Sequence, residues 1–270
     1  MALFNGASTL QRCLDSVKCQ MYPHKELIII DGGSTDGSVE ILQKCDKAID
    51  YWVSEPDRGI YHAWNKGLDK ATGDWINFLG ADDYFMHPRV LDQVAERIAR
   101  LDSDVRVIYG REAIVAIDGT ILEITGEIWK RQRKRLMNEA SLPHTAFFHH
   151  RSLFEDHGEF DESFRIAGDS EFLMRELKKG RAEFAEEIIV KAVTCTGISK
   201  NWDRNYGVVW EIARLKKKHG IFPYDHTWCI LLMKSITKRK LFHLIGADGV
   251  KLLVDHYRRL TGRRAIWKRM

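Results

Sequence analysis

The sequence lacks the features that would indicate a disulfide-rich, zinc-binding or membrane-spanning protein. Its five cysteines are odd in number and form no CxxC pair, which argues against a disulfide framework or a zinc site and favours a reducing cytosol. No signal peptide is visible, and the longest apolar stretch near the end, Trp228 to Met233, is far shorter than the ~18 residues that a spanning helix needs. GxGxxG and GKS/T motifs are also absent, so neither a dinucleotide fingerprint nor a P-loop is predicted.

The sequence does contain enough apolar residues for a full core, and its charge is distributed unevenly. The chain has 270 residues, of which 44% are hydrophobic, and this length fits one large domain or one domain with a helical appendage. The formal net charge is +4, but residues 234–270 carry 11 lysines and arginines against 2 acids. The preceding part of the chain is therefore mildly acidic, and the end is basic.

The first half of the chain alternates short apolar runs with segments of helical periodicity. Strands are predicted at 26–30, 49–53 and 75–79, and helices at 7–19, 38–45, 60–70 and 89–100. This alternation predicts an α/β fold with a mostly parallel sheet and helices on both faces. Only Ala2-Leu3-Phe4 precedes the first helix, so we expect the first strand to be truncated and the native start codon to lie upstream.

Beyond residue 105 the pattern changes. The runs 113–117 and 120–124 flank Asp118-Gly119, which is a strong hairpin signal. A basic run follows at 130–135 and predicts a loop or the edge of a helix. Further strands are expected at 146–148 and within 182–193, with a helix at 172–179 and helices over most of the chain from 203 onward.

Two segments place polar residues at the ends of predicted strands. The turn from Asp31 to Gly37 reads DGGSTDG, and its flexible backbone suits the close approach of a nucleotide. Taken alone, it is equally compatible with an ordinary turn that caps the next helix. Asp82 and Asp83 follow the apolar run 75–79, and two adjacent acids are unfavourable there unless a cation or hydroxyl groups compensate them. At the carboxyl edge of an α/β sheet, the expected ligand is a nucleotide with its metal ion.

Four segments in a fixed order make the pattern more specific. They read DGGSTDGS, EPDRGIYHAWNKG, ATGDWINFLGADD and PHTAFFHHRSLFEDHGEFDESFRIAGDSEF. In this order they resemble family 2 glycosyltransferases with a GT-A fold, in particular the bacterial branch that builds surface polysaccharides. The resemblance covers roughly residues 4–200. It implies a glycosyltransferase domain over 1–200, with a donor-binding half over about 1–110 and an acceptor half over about 111–200, followed by a helical, basic C-terminal extension over 201–270.

The resemblance implies roles for the acids of the donor site. Asp31 stands where the family contacts the nucleotide base, although many relatives carry a second acid where this chain has Gly32. The DxD-type motif of the family falls on the segment Gly80-Ala81-Asp82-Asp83, with Gly80 in place of the first acid. Asp82 would then hold the ribose and Asp83 a divalent cation, Mg²⁺ or Mn²⁺.

Two cations in the second segment complete the implied donor site. Arg58 and Lys66 belong to a helix that family members place beside the donor, where cations would face the diphosphate. A solvated helix face explains Lys66 equally well.

An inverting transferase must also remove a proton from the acceptor hydroxyl, and a carboxylate usually does so. In the family an acidic motif at the start of a helix supplies this base, and residues 166–171 align there. The resemblance therefore makes Asp169 the catalytic base, with Gly168 in place of the commoner Glu. Glu171 could instead orient the acceptor, and His144 could contact the acceptor or a phosphate.

These assignments predict a metal-dependent, inverting transferase. Its donor would be a nucleotide-diphosphate sugar, a UDP-sugar in the first instance, and its acceptor a lipid-linked or surface-polysaccharide intermediate. The QxxRW signature of processive synthases is absent, so addition of a single sugar is expected. Two alternatives stay open: a glycoside hydrolase, which also uses paired carboxylates, and a nucleotide-sugar-binding protein, favoured by Gly80 and Gly168 at usually acidic positions.

The basic end of the chain indicates where such an enzyme would act. Its cations are interleaved with apolar and aromatic residues, which favours a surface helix that lies on anionic lipid. A solvated helical face is an equal alternative on charge patterning alone. Nucleic acid is not expected as a partner, because basic and aromatic residues do not recur along the body of the chain. We therefore expect a cytoplasmic protein held peripherally at the inner face of the plasma membrane.

Overall fold

The computed structural model describes residues 1–116, 118–140, 142, 146–194 and 205–260, apart from the side chains of residues 205, 206 and 251. The helices are α1 (Ala7–Lys18), α2 (Ser38–Cys45), α3 (Ile60–Lys70), α4 (Val90–Ile98), α5 (Trp129–Glu139), α6 (Ser152–His157), α7 (Gly168–Leu177), α8 (Asn205–Lys218) and α9 (His226–Leu260). The strands are β1 (Ala2–Leu3), β2 (Ile28–Asp31), β3 (Tyr51–Ser54), β4 (Trp75–Asn77), β5 (Tyr84–Phe85), β6 (Val107–Val115), β7 (Ile121–Thr125), β8 (Phe147–His150) and β9 (Glu183–Thr194).

A three-stranded parallel sheet in the order β1-β2-β3 carries the first part of the candidate site. Its central strand β2 buries Ile29 and Ile30, which is why this β-branched run forms a strand. Asp31 is the last residue of β2 and pairs with Leu3 of β1. The first strand, expected to be short, consists of two residues, and the amino group of Met1 donates to the carbonyl oxygen of Ile28 at 2.6 Å.

A second, mixed sheet has the order β4-β8-β6-β9-β5, with β7 paired to β6. In it only β6 and β9 run parallel, whereas β4–β8, β6–β8, β6–β7 and β5–β9 are antiparallel pairs. The predicted strand at 75–79 therefore belongs to this sheet rather than extending the first one. A parallel bridge between Ala2 and Gly80 joins the two sheets at the point where β4 has ended. Over the residues that the structure describes, the parallel pairs are therefore β1–β2, β2–β3 and β6–β9 together with the Ala2–Gly80 bridge, and the predicted α/β class is confirmed.

The helices of the second half pack into one hydrophobic core with the second sheet. Phe172, Leu173 and Met174 of α7 are buried in the same cluster as Ile212 and Leu215 of α8. The described part of the predicted C-terminal extension therefore contributes to this core, and a domain boundary near residue 200 stays a prediction. Helix α9 is bent at Gly246, whose φ of 69° is left-handed. Within the described residues, no helix is both long and apolar enough to cross a membrane.

Candidate active site

The turn after β2 is organised around Asp31, which is completely buried. Its carboxylate accepts hydrogen bonds from the backbone N–H groups of Gly33 and Ser34, at 3.2 and 2.9 Å, and from the Ser54 hydroxyl at 2.6 Å. The Ser34 hydroxyl also donates to it. The proposed contact of Asp31 with a nucleotide base stays a prediction, since in this structure the carboxylate is engaged by its own turn.

Gly32 lies against Asp57, a residue that the sequence analysis did not single out. A Cβ atom at Gly32 would lie only 2.6 Å from the Asp57 carboxylate, so the space beside the turn is taken by that side chain. Asp57 also accepts a hydrogen bond from the N–H of Gly59 at 2.7 Å, which fixes it at the start of α3. The second acid that many relatives carry at the position of Gly32 is therefore matched in space by Asp57, within the EPDRG segment.

Asp82 and Asp83 fold back over Gly80. A Cβ atom at Gly80 would lie 2.9 Å from an oxygen of Asp82 and 3.1 Å from an oxygen of Asp83, so these carboxylates would have to shift to admit a side chain there. Asp82 is half-buried and accepts a hydrogen bond from the Thr194 hydroxyl at 3.3 Å. Asp83 is buried, and burial raises the pKa of its carboxyl above the usual range.

A buried lysine on β9 supplies positive charge next to this pair. Lys191 is completely buried, and its ammonium group donates to the carbonyl oxygen of Phe78 at 2.8 Å. Glu112 of β6 is its register partner, and the charges of Glu112 and Asp83 both favour the ammonium form. Burial lowers the pKa of Lys191, and the two carboxylates only partly oppose this shift. Sequence analysis missed this residue because a lysine within an apolar strand pattern carries no motif.

The carboxylates of the GADD segment fit a divalent cation only in part. Among the described residues, no group of three or more His, Cys, Asp or Glu side chains is arranged to hold a metal ion. Mg²⁺ and Mn²⁺ need about six ligands and are commonly held by one or two carboxylates together with substrate phosphates and water. Asp82 and Asp83 are ligands of the right chemical type for such a shared site.

Both predicted donor-binding cations already have carboxylate partners. Arg58 lies just before α3 and not within that helix as predicted. It is exposed, and its guanidinium donates to Glu162 at 2.6 and 3.0 Å. Lys66 is half-buried and donates to Glu55 at 2.6 Å. A diphosphate that binds Arg58 or Lys66 would have to replace these carboxylates.

Asp169 lies in the first turn of α7, where its carboxylate accepts a hydrogen bond from the backbone N–H of Ser170 at 2.6 Å. Burial raises the pKa of its carboxyl to about 7, and the hydrogen bonds from Ser170 only partly oppose this shift. A carboxylate with this pKa is suited to accept a proton near neutral pH. The helix begins four residues earlier than predicted, which puts Asp169 on a fixed helical turn rather than in a loop.

Tyr61 of α3 joins the donor half to this turn. Its hydroxyl donates to the carbonyl oxygen of Ile166 at 2.6 Å and accepts the N–H of Gly168 at 2.9 Å. A Cβ atom at Gly168 would lie 2.7 Å from the Tyr61 ring, so this contact requires a glycine. A larger residue at position 168 would have to displace the Tyr61 ring.

Glu211 of α8 holds the same turn from the other side. Its carboxylate accepts the backbone N–H groups of Arg165, Ile166 and Ala167, at 2.7, 2.9 and 2.8 Å. These donors precede α7 and have no partner within the helix, so a carboxylate from another helix supplies the cap. Sequence analysis missed Glu211, since its partners lie more than 40 positions away in the chain.

Glu171 lies two residues after Asp169, in the same first turn of α7, but points into the protein. It is completely buried, and it contacts Arg175 at 2.5 Å, Lys218 at 3.0 Å and His219 at 3.2 Å. Burial alone would raise the pKa of this carboxyl, yet hydrogen bonds from His219 and Arg175 outweigh it and lower the pKa to about 2. In this structure Glu171 ties α7 to α8, and its role toward an acceptor stays a prediction. His144, the other residue expected to face the acceptor, lies outside the described residues.

The fold brings the predicted donor residues to one edge. Asp31 pairs with Leu3 of β1, and Gly80 bridges to the neighbouring Ala2, so the turn after β2 and the GADD segment lie on either side of β1. Helix α3 packs on β1 and β2 and reaches the turn before Asp169 through Tyr61. The carboxyl ends of neighbouring parallel strands are where α/β proteins bind nucleotides.

Comparison with known proteins agrees with this arrangement. The family model described as Glycosyl transferase family 2 matches residues 1–158. An uncharacterised glycosyltransferase of Mycobacterium tuberculosis is 33% identical over 227 residues, which cover 82% of this chain and 83% of that protein. A PGL/p-HBAD biosynthesis glycosyltransferase of Mycobacterium bovis is 33% identical over 177 residues, which cover 63% of this chain and 65% of that protein.

Solved structures show the same fold at lower identity. S. aureus TarS in complex with UDP-GlcNAc has a TM-score of 0.63 and 19% identity, over 96% of this chain and 76% of that chain. In a longer TarS structure the chain covers only 38% of that chain. A mannosyltransferase of Pyrobaculum calidifontis in complex with GDP-Man and Mn²⁺ has a TM-score of 0.60 and 17% identity, over 96% of this chain and 78% of that chain.

The family match covers the turn after β2, α3, the GADD segment and the strands that position them. The M. tuberculosis relative extends the likeness to most of the chain. The paired carboxylates alone were compatible with a glycoside hydrolase or a glycosyltransferase, and the family match identifies the glycosyltransferase. The chain belongs to glycosyl transferase family 2 and is a glycosyltransferase with a GT-A fold.

Proposed function

We propose that the enzyme transfers one sugar, with inversion, from a nucleotide-diphosphate sugar to a hydroxyl group of a saccharide or lipid-linked acceptor. The observation that carries the proposal is Asp169, a carboxylate whose pKa of about 7 suits proton removal and whose turn is fixed by Tyr61 and Glu211. A UDP-sugar is the preferred donor. The TarS structure, in complex with UDP-GlcNAc, supports this choice at the level of fold.

In this mechanism the acceptor oxygen attacks the anomeric carbon while Asp169 accepts its proton. The new glycosidic bond forms as the bond between the anomeric carbon and the diphosphate oxygen breaks, and the nucleoside diphosphate leaves with the bonding electrons. Asp82 would hold the ribose and Asp83 would hold Mg²⁺ or Mn²⁺, which when bound offsets the charge of the leaving diphosphate. Arg58 and Lys66 would exchange their carboxylate partners for phosphate oxygens.

The acceptor is proposed to be a lipid-linked or surface-polysaccharide intermediate at the cytoplasmic face of the membrane. The proposal is supported by the end of the chain, where basic residues alternate with apolar ones, a composition that favours binding to anionic lipid. The M. bovis relative carries a name from PGL/p-HBAD biosynthesis, which is consistent with an acceptor of this class.

Replacing Asp169 tests the proposal directly. In the Asp169→Asn variant, transfer from a UDP-sugar in the presence of Mn²⁺ should fall by about 10³-fold, the usual contribution of a general base. Thermal stabilisation by the donor should stay as in wild type, because the substitution leaves the donor site intact. Asp69→Asn, at an exposed position at the end of α3, is the matched control and should keep full activity. Wild-type turnover in Asp169→Asn would overturn the assignment.

A further inference from the structure

Helix α5 carries a dense basic surface that the proposed function does not use. The exposed side chains of this helix are almost all cationic, namely Lys130, Arg131, Arg133 and Lys134. Its buried residues, Gln132 and Leu136, face the protein, and α5 packs on α7. The basic run at 130–135 is therefore one solvated face of a helix that lies against the helix of the catalytic base.

Helix α9 presents a second basic surface, mixed with apolar side chains. Its exposed cations are Lys234, Lys238, Arg239, Lys240 and Arg259. Several of its large apolar residues are also exposed, including Leu244 at 79% and Leu260 at 73%. Exposure of this extent on one helix is uncommon in a surface that faces only water.

The two helices are neighbours in the fold. Helix α5 contacts α9, and Arg258 near the end of α9 pairs with Glu123 of β7, the strand that leads into α5, at 2.6 Å. Ile124 of β7 and Ile128, the residue just before α5, are exposed beside them. These contacts bring the end of α9 next to α5, and we call the exposed cations of the two helices the basic face.

The apolar component of the basic face selects lipid over nucleic acid as its partner. An open groove of about 660 Å³ runs along α9 and is lined by Cys229, Ile230, Met233, Thr237 and Tyr257, with Lys234 and Lys238 beside them. Nucleic-acid surfaces combine cations with several aromatic stacking groups, whereas this groove is mainly apolar and has one aromatic side chain, Tyr257. Cations around an apolar surface match the phosphates and acyl chains of an anionic bilayer.

We propose that α5 and α9 together form one docking surface for an anionic phospholipid membrane, so that membrane attachment is not confined to the C-terminal segment. The proposal rests on the proposed function only for the identity of the acceptor. Beyond the end of α5, the N–H of Leu142 donates to the hydroxyl of Ser170, the neighbour of Asp169, at 3.3 Å. Attachment through α5 would hold the catalytic turn close to the bilayer, where a lipid-linked acceptor is found.

Charge reversal on α5 alone distinguishes attachment through α5 and α9 together from attachment through the C-terminal segment alone. In the triple variant Lys130→Glu/Arg131→Glu/Lys134→Glu, the affinity of the full chain for vesicles of phosphatidylglycerol and phosphatidylcholine should fall by more than about 100-fold. Each cation near such a surface contributes about fivefold, so the loss of three positive charges alone accounts for about 100-fold and the added negative charges increase it. The matched control, Lys18→Glu/Lys44→Glu/Lys47→Glu, changes the net charge equally at exposed positions beside the first sheet and should bind like wild type. Wild type should not bind phosphatidylcholine vesicles.

Stabilisation by a UDP-sugar serves as the check on folding and on the donor site. If the α5 triple variant is itself unstable, Lys130→Gln/Arg131→Gln/Lys134→Gln keeps helix-forming residues and should show a smaller loss in the same direction. Vesicle binding by the α5 variant equal to that of wild type would overturn the proposal, as would tighter binding of wild type to DNA than to vesicles at equal salt. Vesicle binding without donor binding would leave this proposal standing while the proposed function failed.

Discussion

At three glycines of the candidate active site, the space that a Cβ atom would need is taken by another side chain. Asp57 fills it at Gly32, the carboxylates of Asp82 and Asp83 fill it at Gly80, and the Tyr61 ring fills it at Gly168. A side chain added at any of these positions would have to displace the residue that lies against the glycine.

Gly168 gives the clearest test at this scale. Gly168→Ala should lower the free energy of unfolding by about 2 kcal/mol, because the added methyl group would meet the Tyr61 ring and crowd a packed turn. Gly207→Ala in α8 is the control, since nothing lies within 4 Å of the Cβ position there. It should stabilise the protein by up to about 1 kcal/mol through helix propensity. Urea unfolding measures both, and a stable Gly168→Ala protein would contradict the steric argument.

The pKa of Asp169 predicts how activity depends on pH. The carboxylate acts as a base only when deprotonated, so kcat/KM should rise as the pH increases through about 7 and reach a plateau above it. An Asp with its ordinary pKa would give full activity from about pH 5 upward. A profile of initial rates at fixed donor and metal concentration distinguishes the two, provided that thermal unfolding shows a folded protein at each pH.

At the scale of elements, α7 is held at its start by two other helices. Tyr61 of α3 and Glu211 of α8 bind the backbone before and within its first turn. Glu171, in the same first turn, reaches Lys218 and His219 at the end of α8. Helix α8 therefore sets the position of the turn that carries Asp169, and both α7 and α8 lie outside the segment that the family model matches.

The buried carboxylate of Glu171 should matter for stability more than for chemistry. Glu171→Gln leaves Arg175 and His219 without their counter-charge and should lower the free energy of unfolding by about 3 kcal/mol. Because the folded-state pKa is depressed, this contribution is present above the ordinary Glu pKa and is lost as the pH falls toward 2. Urea unfolding at neutral pH measures it. Glu155→Gln, at an exposed position of α6, should change stability by less than about 0.5 kcal/mol.

At the scale of the whole molecule, local signals in the sequence predicted the elements of the first half closely. The predicted helices at 38–45 and 60–70 coincide with α2 and α3, because their periodicity and flanking glycines are local properties. The hairpin signal at Asp118-Gly119 likewise precedes β7, which pairs with β6. The positions of the Asp31 turn and of the Asp82-Asp83 pair after strands could also be predicted, because the apolar runs before them are local signals.

What the sequence could not predict depends on contacts between distant segments. The strand β4 pairs with β8, which lies over 70 positions away in the chain. No local pattern distinguishes this antiparallel pairing from pairing with a strand of the parallel sheet. The two-residue strand β5 is too short to give a period. Lys191 and Glu211 act through partners on other elements, so their roles become visible only once the chain is folded.

The network around Asp31 bears on how a ligand would bind at this edge. Four hydrogen bonds from Gly33, Ser34 and Ser54 join the end of β2 to the turn after it and to the end of β3. The turn is therefore already ordered in the folded protein before any ligand binds. A nucleotide that docks against it loses its own translational and rotational freedom but orders no loop, which makes this edge a preorganised surface.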